Sequence, residues 1–329
     1  MYRLENIKSI HLEITTKCQA KCPMCPRRIQ GGRLMPFFDL EEITLAQYKA
    51  WLPMSVLENL ETLIICGNLG DAIVATDTLE IIQYSRSANA NMNISFHTNG
   101  SARTKQWWEE LASTGTKVVF GIDGLQDTHA LHRVSTDFDK IIENATAFIN
   151  AGGDAVWSML VFEHNEHQID TCRELSEQLG FKEFNTKHTS RFKNDYLNVL
   201  DEQGKTLHVI KPSKKSYDMI VKIESAQKVK NPSIRCKSVE WHQMYIGANG
   251  NIAPCCWLDI KHRTPNDPSR NDYVDVIGEF PNLHDQTLEE IFESGYFDRI
   301  EQTWHSTPLK ECARQCGVFD RMREQYENL

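Results

Sequence analysis

Three cysteines, Cys18, Cys22 and Cys25, fall within eight positions of the stretch TKCQAKCPMCPRR. Thiolates are soft ligands that suit iron–sulfur clusters and zinc alike. Three of them on one loop suit a [4Fe–4S] cluster, whose fourth iron is then left for another group. A structural zinc site needs a fourth ligand, and no histidine is close in sequence; His97 and His129 are distant, though a fold could bring either near. A second set comprises Cys236, Cys255, Cys256, Cys312 and Cys316. Cys66 and Cys172 stand apart and read as small buried residues.

Such ligands need a frame that gathers loops at one place. Residues 8–186 alternate short β-like runs with helix-length segments. The strands read as 9–15, 63–66, 93–97, 117–121, 156–162 and 183–187; the helices read as 40–60, 77–88, 104–113, 137–151 and 166–179. Thr104 precedes the run QWWEEL as an N-cap, and Gly180 follows the last helix as a C-cap. This alternation predicts an α/β fold, a parallel sheet with right-handed crossovers, and six units suit a partial (β/α)6 TIM-like barrel. In a barrel the loop after the first strand opens at the C-terminal mouth, where active sites gather.

The barrel domain is expected over residues 1–190. Residues 191–235 are polar and lysine-rich, include Pro212 and Pro232, and read as a connecting segment with one helix near 214–228. A small C-terminal domain is expected over 236–329. Asn249-Gly250, between two short β runs in MYIGANGNIAPCCW, predicts a hairpin. Irregular, proline-containing sequence follows to 285, then helices around 287–302 and 313–327.

Hydrophobic content of 40% and charged content of 25% are ordinary globular values. No apolar run approaches the roughly 18 residues of a membrane span, and the opening MYRLENIKSIHLEIT lacks a charged-then-apolar leader. A formal charge of −9 without a basic stripe argues against nucleic acid and membrane partners, although Arg27 with Arg28, or Lys214 with Lys215, could grip one anionic ligand. Ten cysteines without a leader point to a reducing compartment, so metal ligation is expected over disulfides and the cytoplasm is the expected location.

CQAKCPMC after a strand, opening a βα-repeat domain, resembles the CX3CX2C signature of the radical SAM superfamily, over roughly residues 8–187. The resemblance implies that the fourth iron binds S-adenosylmethionine (SAM) through its amino and carboxylate groups. It also implies reductive cleavage of the S–C5′ bond to a 5′-deoxyadenosyl radical that abstracts hydrogen from an unactivated C–H bond. Cofactor contacts are implied at the strand ends. CGNLGD (66–71) stands where the family carries a GGE-type motif holding the methionine amino group, which gives that role to Gly67, Asn68, Gly70 and Asp71; Asn68 interrupts the glycines and Asp71 replaces Glu. HTNG (97–100) resembles the TNG near the ribose, giving Thr98 and Asn99. GIDG (121–124) resembles the SIDG stretch, giving Asp123, with Gly121 where a serine usually contacts SAM. Arg133 matches the arginine that pairs with the SAM carboxylate, and Met24 stands beside the adenine.

Thirteen residues separate Cys236 from Gly250, and four more precede Cys255; this is similar to the CX9–15GX4C opening of SPASM and Twitch domains. That resemblance implies one auxiliary [4Fe–4S] cluster on Cys236, Cys255, Cys312 and Cys316. Cys256 is a replacement for Cys255, a proton donor or acceptor beside the cluster, or a spare thiol. A four-cysteine zinc knuckle is the structural alternative.

Two radical SAM readings follow. In one, the auxiliary cluster accepts an electron and the net reaction is an oxidation, as in aminocyclitol alcohol dehydrogenation or peptide thioether formation. In the other, a thiol such as Cys256 or Cys172 donates hydrogen, giving epimerisation or another peptide modification. Residues 1–8 lead directly into the first strand, which favours a small or medium substrate over a leader peptide. The expected reductant is a flavodoxin or ferredoxin type. His164, Asn165 and His167 face the mouth if the barrel forms. A different class is a non-enzymatic iron–sulfur or zinc protein for electron transfer or interaction, but such a carrier normally completes each cluster with four protein ligands.

Overall fold

The computed structural model describes residues 3–226, 233–264 and 268–317. The chain forms two compact units, residues 12–221 and residues 1–11 with 222–329.

β1 (Ser9–Leu12) leads into the larger unit, which begins at its last residue and holds β2 (Thr62–Ile65), β3 (Asn93–Thr98), β4 (Lys117–Gly121), β5 (Asp154–Leu160) and β6 (Glu183–Lys187), adjacent in chain order. β2 to β6 pair in parallel, with registers such as Thr98↔Phe120, Gly121↔Ser158 and Leu160↔Lys187. This is the expected partial barrel, with helices on its outer face. Its core is aromatic: Trp108 lies 5.2 Å from Phe120 and Trp157 lies 5.4 Å from Phe181, ring centre to ring centre. Truncating one of these buried rings to alanine costs about 3–5 kcal/mol.

The local signals act as read at several ends. Thr104 Oγ1 accepts from Trp107 N (3.3 Å), and Gly180 closes its helix at φ 87°. β4 and β6 match the expected spans to the residue. The helix expected over 40–60 is instead two short ones, Leu45–Trp51 and Met54–Leu57. Thr44 and Gln47 form a capping box that starts the first, and Pro53 cannot continue it. β1 ends at Leu12 rather than 15, because Thr15 and Thr16 turn toward the 39–42 backbone. The stretch read as a connecting segment carries an antiparallel pair, β7 (Leu197–Leu200) and β8 (Thr206–Ile210), and the helix Lys214–Ala226; as far as residue 221 it belongs to the larger unit.

In the smaller unit β9 (Gln243–Ile246) and β10 (Ile252–Ala253) form the expected hairpin, with Gly250 at φ 82° in the turn. The amides of Lys8 and Ser9 both donate to His242 O. The region expected to be irregular up to 285 contains two helices, Cys256–Arg263 and Pro268–Ile277. Pro268 opens the second, where its missing N–H leaves no bond unmade. The helix expected over 287–302 is divided at Gly295 (φ 71°) into Leu288–Glu293 and Tyr296–Thr303. The last described helix is Lys310–Cys316, and the rest of the helix expected over 313–327 lies outside the described residues. No described helix is long and apolar enough to cross a membrane.

Candidate functional sites

The loop after β1 carries Cys18, Cys22 and Cys25 as free thiols. Its backbone is fixed from several directions: Lys21 N donates to Val134 O (2.8 Å), Arg27 Nη1 to Cys18 O (3.2 Å) and Cys25 N to Cys22 O (3.1 Å). The β7–β8 hairpin braces its far side, where Leu200 N donates to Gln30 O (2.9 Å) and Glu202 accepts from Lys21 (2.8 Å) and Arg28 (3.0 Å). Burial pushes all three thiols up, Cys22 to about 11; Arg133 beside Cys22 and Arg27 beside the other two pull the opposite way. Three half-buried thiols on a fixed loop suit a bound metal cluster, since coordination removes their protons outright.

The loop after β2 packs against that turn so closely that only glycine fits at 70; a Cβ there would sit 1.7 Å from Thr15 O. Glu13 Oε1 accepts from Leu69 N (2.5 Å) and Gly70 N (3.1 Å), holding the 67–70 backbone from beneath. Asp71 is engaged on both oxygens. Oδ1 accepts from Ile73 N (3.2 Å), and Oδ2 accepts from Thr98 Oγ1 (3.1 Å), Asn99 N (2.7 Å) and Asn99 Nδ2 (2.6 Å). Burial raises its pKa, opposed by these donors. Asn99 in turn accepts from Gln19 Nε2 (2.7 Å) and lies 3.7 Å from Cys18 Sγ. Asp71, Thr98 and Asn99 therefore tie the ends of β2 and β3 to the cysteine loop.

Gly121 ends β4 where a Cβ would lie 2.6 Å from Arg133 Nη2, so the missing side chain makes room for the guanidinium. Arg133 Nε donates to Asp123 Oδ2 (2.6 Å), which also receives His132 Nδ1 (2.7 Å), while Oδ1 accepts from Leu160 N (2.8 Å). Asp123 is fully buried. Burial alone would raise its pKa, but Arg133 and His132 hold it well below the usual carboxylate range. With its oxygens so taken up, Asp123 orients Arg133. Met24 packs against the cluster of Phe162, Phe192, Val199 and Ile210. His164 stacks on Phe162 (5.2 Å, 9°), His167 is exposed, and Asn165 closes its own loop by donating to Asp123 O and Leu160 O. Cys172 is fully buried in the helix Ile169–Leu179, whereas Cys66 is half-buried rather than a core residue.

In the smaller unit, Cys236, Cys255, Cys312 and Cys316 line one small cavity, open to solvent in part, with Trp257, Leu258, Ile300 and Trp304. Cys256 is not among the lining residues; it begins the helix Cys256–Arg263. The bridge Ile234↔Gly317 and the bond from Arg235 N to Cys316 O (2.9 Å) bring the first and last thiols together. A hydrogen bond between them pushes Cys236 up and pulls Cys316 down to about 6. Among the described residues no three His, Cys, Asp or Glu side chains converge on a single-ion site.

Buried polar atoms without partners mark the same places. Eight such side-chain atoms occur among the described residues. Five belong to Arg28, Asn68, His132 and His164, on the mouth loops of the larger unit, and a sixth is Trp304 Nε1 on the wall of the thiol cavity. Such atoms are costly unless something else satisfies them. Glu13, Gln19, His132 and Trp304 were not singled out from sequence; their roles depend on contacts that no local spacing displays.

Residues 12–175 match the family model of the Radical SAM superfamily, and residues 236–317 match that of SPASM, an iron–sulfur cluster-binding domain. Comparison with curated proteins finds no match. Among solved structures, the chain is similar to anSMEcpe with bound AdoMet, at TM-score 0.57 and 16% identity over 90% of this chain and 80% of that one. It is also similar to Streptococcus suis SuiB bound to S-adenosylmethionine, at TM-score 0.54 and 14% identity over 94% and 68%. The same enzyme bound to precursor peptide SuiA gives TM-score 0.54 and 13% identity over 94% and 68%. At these identities the likeness concerns the fold.

Proposed function

Because the chain belongs to the radical SAM superfamily and carries an iron–sulfur cluster-binding SPASM domain, we propose that it is an oxidoreductase-type enzyme. It cleaves SAM reductively and abstracts hydrogen from a small or peptidic substrate, with net oxidation assisted by one auxiliary [4Fe–4S] cluster. When bound, the SAM-binding [4Fe–4S] cluster, the auxiliary cluster and SAM supply the electron and the radical that takes the hydrogen atom.

The observation that carries this reading is the unequal number of thiols, three on the mouth loop and four around the cavity. Cys18, Cys22 and Cys25 would hold the first cluster, and three protein ligands would leave one iron for SAM. Cys236, Cys255, Cys312 and Cys316 complete the second, so that it serves electron transfer or support and not substrate binding. Arg133, fixed through Nε by Asp123, turns its Nη groups to the SAM carboxylate, a job that suits a planar fork. Gly67, Asn68 and Gly70 offer backbone and one carboxamide to the methionine end, and Asn68 Nδ2 is buried with no other partner. Asp71, Thr98 and Asn99 shape the pocket through their mutual bonds. Met24 contributes an apolar wall for the adenine.

A flavodoxin- or ferredoxin-type protein is the reductant class that fits, in the cytoplasm. A peptide-modifying reading stands beside the small-molecule one, because SuiB is recorded with a precursor peptide. Cys172 suits the role of hydrogen donor poorly, since it is fully buried and out of a substrate's reach.

The test is anaerobic reconstitution with SAM and a reductant. About eight irons per chain and formation of 5′-deoxyadenosine are expected; a fully loaded protein that forms none contradicts the reading. Deuterium transfer from labelled candidate substrates into 5′-deoxyadenosine then identifies the hydrogen removed.

A further inference from the structure

In the larger unit each strand turns one face to the helices. Phe96 packs on Trp107 (6.4 Å), Phe120 on Trp108 (5.2 Å) and Trp157 on Phe181 (5.4 Å), and Arg173 lies over Phe184 (5.0 Å). Side chains alternate along a strand, so Ser95, His97, Ser158, Asn185 and Lys187 face the inside of the partial barrel. Barrel interiors are usually filled by branched apolar side chains; this one has Ile64, Val119, Val156 and, opposite Lys187, Leu160, with the polar residues set among them.

Two lysines lie on that inner face, with different surroundings. Lys117, at the start of β4, is paired with Glu183 Oε1 at 2.5 Å. Lys187, the last residue of β6, has no hydrogen-bond or ion-pair partner for its ammonium among the described residues. The acids toward the mouth are engaged elsewhere: Glu13 with Leu69 and Gly70, Asp71 with Thr98 and Asn99, Asp123 with Arg133 and His132. Lys187 is near enough to Cys66, just past the end of β2 and four strands away, for its charge to oppose the rise to about 11 that burial causes there. Ser158, on the neighbouring strand and the same face, has a hydroxyl that likewise meets no partner among the described residues.

We propose that Lys187, with Ser158 beside it, anchors an anionic group of the substrate, a carboxylate or a phosphate. The anchor rests on the enzyme reading above and narrows its substrate class. β1 and β6 are the first and last strands of the partial barrel, so a substrate held at Lys187 lies across the mouth from the cysteine loop.

Reductive methylation of the reconstituted holoprotein, followed by peptide mass spectrometry, reads Lys187 directly. The probes are inorganic phosphate, acetate and uncharged acetamide, each up to 50 mM at constant ionic strength, about the range in which a single-anion contact is measurable. Labelling of Lys187 should slow by the factor 1 + [L]/Kd, about threefold at twice the Kd, with one of the anions and not with acetamide. Paired Lys117 should be unaffected, and the anion that protects at lower concentration identifies the preferred group. Equal labelling of Lys187 under all three conditions would overturn the proposal. The anion-dependent rise in Tm should persist in Lys187→Arg and vanish in Lys187→Gln; a rise in Lys187→Gln equal to that of the native protein would also overturn it. Protection without any 5′-deoxyadenosine formation supports the anchor and removes the radical reading. Cleavage of SAM without protection removes the anchor alone.

Discussion

The two thiol sets are built on different plans. The first places three cysteines within eight positions of one loop, braced by hydrogen bonds with Val134 O, Arg27 and the β7–β8 hairpin. The second draws four cysteines from segments around 236, 255 and 312–316 to the wall of one largely apolar cavity. A contiguous loop can hold a cluster by one edge and leave the opposite corner open to a ligand. A cavity walled from three segments closes around its cluster and cannot exist until the unit has folded. On the proposed reading, chemistry belongs to the first arrangement and support to the second.

Substitution should separate them. Cys22→Ala is expected to abolish 5′-deoxyadenosine formation while the second cluster remains, leaving about four irons per chain. Cys255→Ala should also leave about four irons, yet keep SAM cleavage in the absence of substrate; because on this reading its ligand set joins three segments and binding couples to folding there, its Tm should fall more than that of Cys22→Ala. Iron analysis, the 5′-deoxyadenosine assay and calorimetry check all three. Cys256→Ala, by contrast, should keep both clusters, since that residue does not line the cavity.

Within the first site, Arg133→Ala should weaken SAM binding by about 10- to 100-fold, the worth of a charge-assisted pair, as measured by equilibrium dialysis with the iron loaded. Gly121→Ala tests the same contact sterically. A methyl group 2.6 Å from Arg133 Nη2 must displace the guanidinium, so SAM affinity should fall by about tenfold, in line with overpacking costs of 1–3 kcal/mol. Unchanged affinity would mean that Arg133 moves aside without consequence.

How much of this was legible follows from how local each signal is. β4 and β6 were read to the residue because turns bound them closely, and the Asn249-Gly250 turn declares its hairpin through glycine's positive φ. The 40–60 stretch misled because its apolar residues run on past Thr44 and Pro53, which interrupt the helix. β7 and β8 were missed because Leu207 and Val209 point to solvent, so the alternation signals no core. In the site, cysteine spacing pointed to the candidate ligands and the strand-end motifs pointed to Asn99 and Arg133, which the fold brings to the mouth loops. Glu13 looks like any residue of a strand until the chain returns 56 residues later with Leu69. His132 reads as a surface helix residue, yet it is 4% exposed and bonded to Asp123.

The smallest expected effect concerns pH. Burial lowers His129 to about 4, and Asp123 N donates to its Nδ1 (3.1 Å), which requires the neutral ring. An unfolded chain binds a proton there below about 6.5, so the stabilising contribution is complete above that pH and is lost as pH falls toward 4. His129→Gln should flatten the fall of Tm between about pH 6.5 and 4. An identical slope in scanning calorimetry would contradict it.

Electron paramagnetic resonance of the reduced Cys255→Ala protein, in which the mouth loop holds the remaining cluster, tests the vacant iron most directly. SAM labelled with 15N in its amino group should shift the spectrum and show a nitrogen hyperfine coupling, because that nitrogen binds iron. A spectrum indifferent to SAM, in protein with about four irons loaded, would show the corner already occupied and contradict the account.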